Sequence, residues 1–204
     1  MEYKDIKTPE ELYDFIISNL TYGFIGRNGK KYLHDDPKWE EDWISQYYLQ
    51  SPEELIKSKV GVCWDFSELA RDWLKKQGFE VTSFIIVWKE GGPAENYPTH
   101  AFDVFVRDGK YCWSVMFFKE GADIETNDSL EGAKKTAKNY YMDMIKKYYN
   151  GTDEDVKQML LVEVPKENQP KHGSSPIEYV KSSLKDMKTV DDSSADSLSG
   201  KRNK

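Results

Sequence analysis

Apolar residues follow two different periods along this chain, and the change from one to the other comes at Gly78. Leu12, Phe15, Ile16 and Leu20 recur at three and four residues behind Thr8-Pro9-Glu10-Glu11, a capping box with proline at the first helical position. Tyr22 to Asp36 loses the period and carries a turn at Asn28-Gly29, which reads as a loop or short hairpin. A second helix is predicted from Pro37 through Trp39, Trp43, Ile44 and Tyr47. Ser51-Pro52-Glu53-Glu54 repeats the capping signature ahead of Leu55 and Ile56. The strongest helical stripe follows, with Phe66, Leu69, Ala70, Trp73 and Leu74 on one face and Gly78 as its stop.

Beyond Gly78 the pattern is that of strands. Val81 to Trp88 is a continuous apolar run, as expected of a strand covered on both faces. His100 to Val106 and Lys110 to Phe118 flank Asp108-Gly109, a strong hairpin signal. A helix is predicted from Ser129 to Tyr149 with Ala137, Tyr140, Tyr141, Met144, Ile145 and Tyr148 inward, and an edge strand from Gln158 to Val164. After Pro165 the chain turns polar and rich in serine and lysine, and reads as largely disordered apart from a short helix near Ile177 to Leu184. The expected organisation is one α+β domain over 1–164 with a polar tail over 165–204.

Composition narrows the function classes. The 204 residues carry a net charge of -7, against the basic face that general nucleic-acid binding needs. No apolar run reaches the ~20 residues of a membrane span, and Met-Glu-Tyr-Lys-Asp is no secretory leader. Cys63 and Cys112 are the chain's two cysteines, too few for a disulfide framework and without Cys-x-x-Cys spacing, so a reducing, cytoplasmic setting is the default. His34 and His172 lie in loop and tail with no zinc-type spacing, so no metal or other cofactor is expected.

The chemistry concentrates in Gly61-Val62-Cys63-Trp64-Asp65-Phe66-Ser67. Cys63 stands where the helix begins, and unpaired backbone N–H groups at a helix start favour a thiolate. A thiol attacks an acyl carbon when a base takes its proton, and His100 at a strand start is the candidate. A buried, inert cysteine and a histidine bonded to a carbonyl are the plainer alternatives. Trp64 is a wall or core residue, or a substrate platform. Gln50 and Asn96 are candidate oxyanion donors, or loop residues in water.

Gly61-Val62-Cys63-Trp64-Asp65-Phe66 with Leu69-Ala70 and Gly78-Phe79, and Pro98-Thr99-His100-Ala101-Phe102 with the aromatic second hairpin strand, together resemble the transglutaminase-like superfamily. The similarity runs from Thr8 to Met144 and is greatest to small single-domain members of Gram-positive bacteria and their phages. It implies a papain-like fold and a Cys-His-acid triad. The chemistry implied is thioester formation on glutamine or peptide amides of a protein or peptide substrate, with Cys63 as nucleophile and His100 as base. The family's acid lies on the strand after the histidine. Counting back from the Asp108-Gly109 turn places Val115 there, and Val115 accepts no hydrogen bond. Asp103 points to the opposite face by strand parity. Glu120, Asp123 and Glu125 lie beyond the strand. Two expectations follow: a cysteine enzyme performing acyl transfer or amide hydrolysis, or a binding protein that keeps the fold without the triad.

Overall fold

A computed structural model describes residues 2–88, 99–114 and 123–185 of the chain. In its first part, helix α1 (Pro9–Asn19) starts on the Thr8/Glu11 capping box. Strands β1 (Thr21–Ile25) and β2 (Lys31–Leu33) form a hairpin around Gly29, whose φ of 78° suits a residue without Cβ. Helix α2 (Trp39–Gln46) and helix α3 (Pro52–Ser58, on the Ser51/Glu54 capping box) follow. The two-residue strand β3 (Val60–Gly61) then pairs parallel with β1 and delivers the chain into helix α4 (Cys63–Lys76).

The second part is one antiparallel sheet. It is formed by β4 (Val81–Trp88), β5 (His100–Arg107), β6 (Lys110–Ser114), β7 (Ile124–Asn127) and β8 (Met159–Val164), in the order β7-β6-β5-β4-β8. Helix α5 (Leu130–Tyr149) and the short α6 (Asp153–Lys157) connect β7 to β8. Arg107 faces Lys110 and Val104 faces Trp113, the register expected from an Asp108-Gly109 turn. Val115 and Asn96 lie outside the described residues.

Both faces of this sheet are covered, so β4 reads as an apolar run from Phe84 to Trp88 although its neighbours are antiparallel. Ile85, Val87, Ala101, Leu160, Val162 and Val164 meet Cys63 and Trp64 on one face. Phe84, Ile86, Phe102, Val104 and Trp113 meet Ala137, Tyr141, Met144 and Ile145 of α5 on the other. Tyr148, expected inward, is 46% exposed, because the buried stripe of α5 runs through Ala133, Ala137, Tyr141, Met144 and Ile145. Ile44 of α2 is likewise exposed.

The chain after Pro165 is packed further than its polarity suggests. Helix α7 (Pro176–Ser183) begins on a third capping box, Ser175 with Glu178. Tyr179 and Val180 are buried in the cluster that holds Trp64, and Leu184 packs against it. Helix and core packing therefore continue past Val164, through Ser183 and Leu184. Residues 186–204 lie outside the described part.

Candidate active site around Cys63

The turn into α4 is built from side chains that bond to main chain. Asp65, the third residue of α4, accepts hydrogen bonds from the Val62 N–H (2.9 Å), the Gln50 N–H (2.9 Å) and the Tyr47 hydroxyl (3.2 Å). Gln50 donates its side-chain amide to the Val60 carbonyl (2.8 Å) and accepts from Ser58 Oγ (2.8 Å). Its amide thus braces the entry to the helix. Gly61 is required by space: a Cβ there would lie 2.6 Å from Leu55 and 3.0 Å from both Asp65 and Phe66. These contacts fix the position of Cys63 as the first residue of α4.

Cys63 is 6% exposed, and its sulfur lies 3.8 Å from the Thr99 carbonyl, which the thiol S–H donates to. The nearby Ala101 and Trp64 N–H groups and the Tyr22 hydroxyl favour the ionised form of the same sulfur. The thiol therefore rests against main chain on both sides of His100. The two cysteines are free, and Cys112 sits in a separate cluster with Phe105, Phe66 and α1.

His100 is 4% exposed. Its ring stacks on Tyr141 of α5 (5.6 Å, 9°) and on Phe102 (6.1 Å, 12°), so it belongs to the α5 side of the sheet. Asp103 points the other way, as parity requires, and accepts from Ser67 Oγ (2.6 Å) and Ser83 Oγ (2.5 Å). Glu125 is on the face of His100 but opposite Trp113 on β7, two strands across and four residues along, roughly 10 Å by 13 Å. Glu125 and Asp123 are exposed. Trp64 stacks on Tyr179 (4.1 Å, 6°) and touches Trp43 and Tyr47, and is 4% exposed.

Burial sets the ionisation of the pair. It pushes the Cys63 thiol up to about 11, against the three donors that favour the thiolate. It pulls His100 down to about 3. It also raises Asp65 to about 7, although two N–H groups, the Tyr47 hydroxyl and Gln50 favour its ionised form. Burial thus keeps both the Cys63 thiol and the His100 imidazole neutral at rest. The helix start was expected to lower the thiol, and here desolvation overrides it. Tyr22, Asp65 and Thr99 were not singled out from sequence. Asp65 had a signal, as an acid three residues into a helix. Tyr22 had none, because the β1–β3 pairing joins segments far apart in the chain.

Among the described residues no cluster of three or more His, Cys, Asp or Glu side chains is placed to hold a metal, and no helix is long and apolar enough to cross a membrane. The family model described as a transglutaminase-like domain matches residues 2–111, which include α1 to β5 and both Cys63 and His100. No curated protein matches the chain. Two structures of Legionella pneumophila LapG are similar at TM-score 0.35. One, EGTA-treated, is 16% identical and covers 58% of this chain and 54% of LapG. The other is 15% identical and covers 68% and 76%. A structure titled as a TGase is similar at TM-score 0.34 and 14% identity, over 61% of this chain and 29% of that one. The chain thus spans about half of the first LapG chain and under a third of the TGase. Likeness at these scores decides nothing about the site. The family match covers more than half of the 204 residues, and the α+β architecture with a cysteine at the helix start agrees with it: the chain belongs to the transglutaminase-like domain family, with a papain-like core.

Proposed function

We propose that the chain is a cysteine-dependent acyl transferase or amide hydrolase acting on an amide of a protein or peptide, with Cys63 as nucleophile and His100 as base. The observation that carries this is the seat of the thiol, in the first turn of α4 with its S–H on the Thr99 carbonyl, one residue before His100. In the resting state the proton stays on sulfur. Attack requires the proton to pass from sulfur to the imidazole, and the dipole of a bound amide favours the charged pair over the apolar surroundings of the resting state. The amine leaves, and water or a second amine takes the acyl group.

A glutamine-containing peptide with hydroxylamine as acceptor tests this. Hydroxamate or free ammonia forms with the native chain, and Cys63→Ala reduces formation at least 1,000-fold. Product made equally well by Cys63→Ala would contradict it.

The burial of both groups favours a second reading, a binding domain that keeps the fold without turnover. That reading requires peptide binding with no Cys63-dependent product.

A further inference from the structure

Asp103 is a buried acid with no part in the proton transfer between Cys63 and His100. It is 3% exposed and lies on the α4 side of β5, opposite Ser83 of β4. The pairs on either side of it on that face are apolar, Val81 with Phe105 and Ile85 with Ala101. Its two oxygens serve different elements: Oδ2 accepts from Ser67 of α4 (2.6 Å) and Oδ1 from Ser83 (2.5 Å). Gln169 closes the cluster, donating to Ser83 Oγ (3.5 Å) and accepting from Lys75 (3.5 Å). Burial pushes the carboxyl above its ordinary range, against the pull of Arg71, the two hydroxyls and Lys75. An acid here is costly, and apolar replacements of buried polar groups are often neutral or stabilising, so stability alone does not account for it.

Ser67 stands one helical turn after Cys63, on the same side of α4. Cys63 meets the residue ahead of β5 at the Thr99 carbonyl (3.8 Å), and Ser67 meets the strand itself at Asp103. The first of these is a weak thiol bond, the second a short bond to a carboxylate. We propose that Asp103 is a positioning residue, its carboxylate clasping Ser67 and Ser83 so that the turn after Cys63 is held at one setting on the strand that begins with His100. This rests on the reading of Cys63 as nucleophile and His100 as base. Apolar packing has no preferred direction, so by itself it lets a helix slide on a sheet. A hydrogen bond weakens steeply below about 120°, and a carboxylate held by two elements leaves one arrangement. A misplacement of about 1 Å at reacting groups costs on the order of 100-fold in rate.

A double-mutant cycle in the full chain separates positioning from bulk support. The rate of Cys63 acylation by p-nitrophenyl acetate is followed by intact mass and peptide mapping in the native chain, His100→Ala, Asp103→Leu and the pair. Asp103→Leu slows acylation at least 20-fold. In that background His100→Ala costs no more than threefold, against at least 100-fold in the native chain. Asp103→Asn stays within fivefold of the native rate, because its amide accepts from one serine and donates to the other. A merely structural acid would lower the urea midpoint in Asp103→Leu and leave the His100 effect at its native size, which would overturn the proposal. Asparagine as slow as leucine would overturn it too, since charge and not the clasp would then be at work. If the leucine variant fails to fold, Ser67→Ala decides: it releases α4 alone, and a His100 effect reduced less than fivefold would overturn the proposal. A native chain acylated as fast without its imidazole would refute the nucleophile reading, and the clasp with it. A native chain that needs the imidazole, with Asp103→Leu needing it equally, would refute the clasp alone.

Discussion

Two effects compete at Cys63, and their sizes settle its resting state. A helix start favours an anion by about 0.3–1 kcal/mol, and up to ~2 kcal/mol in buried geometries. Burial raises the thiol from 9.0 to about 11 with three donors already acting on it, a difference of about 3 kcal/mol. Desolvation wins. The same cause acts on His100 with the opposite sign, since burial disfavours its charged form. A histidine held low in the fold binds its proton more weakly there than in the unfolded chain. Its contribution to stability is complete above pH 6.5 and is lost as the pH falls toward 3. Urea unfolding of the native chain and of His100→Gln at pH 7, 5 and 3.5 reads this. The native chain loses stability relative to the variant as pH falls, by on the order of 4 kcal/mol. A difference independent of pH would show that His100 is neither buried nor neutral.

At the level of elements, the start of α4 holds the chemistry in place. Asp65 ties together the end of α2, the Gln50 backbone and the Val62 N–H, so three elements meet on one carboxylate. Asp65→Asn presents an N–H₂ to one of these donors, leaving it unpaired in a buried place. A loss of about 1–3 kcal/mol in urea unfolding is expected, together with faster exchange of the Val62 amide. Unchanged stability would mean that water replaces the lost acceptor. Much at this scale was legible. The capping boxes at Thr8 and Ser51, the stripe of α4 and the Asp108-Gly109 hairpin are local signals, and the sheet register follows by counting. The capping signature at Ser175-Pro176-Ile177-Glu178 was equally local, but the serine- and lysine-rich surroundings concealed it. The environment of the thiol was not legible, since desolvation depends on what Tyr22, Thr99 and α5 bring together from distant parts of the chain.

Across the whole molecule, one sheet separates two apolar layers and the candidate site lies at the start of its central strand, β5. Cys63 belongs to the α4 layer, with its thiol on the Thr99 carbonyl just ahead of β5, and His100, the first residue of β5, belongs to the α5 layer. The α4 layer is completed by Tyr179, stacked on Trp64 next to Cys63, which gives the polar C-terminal segment a part in packing this region. The most direct test is the intact mass of the protein after incubation with an activated acyl ester, quenched in acid and mapped by peptide. The expected result is one acyl group on Cys63, formed at least 100-fold more slowly in His100→Ala and absent in Cys63→Ala. No adduct on Cys63, or an adduct that forms as fast without the imidazole, would contradict it.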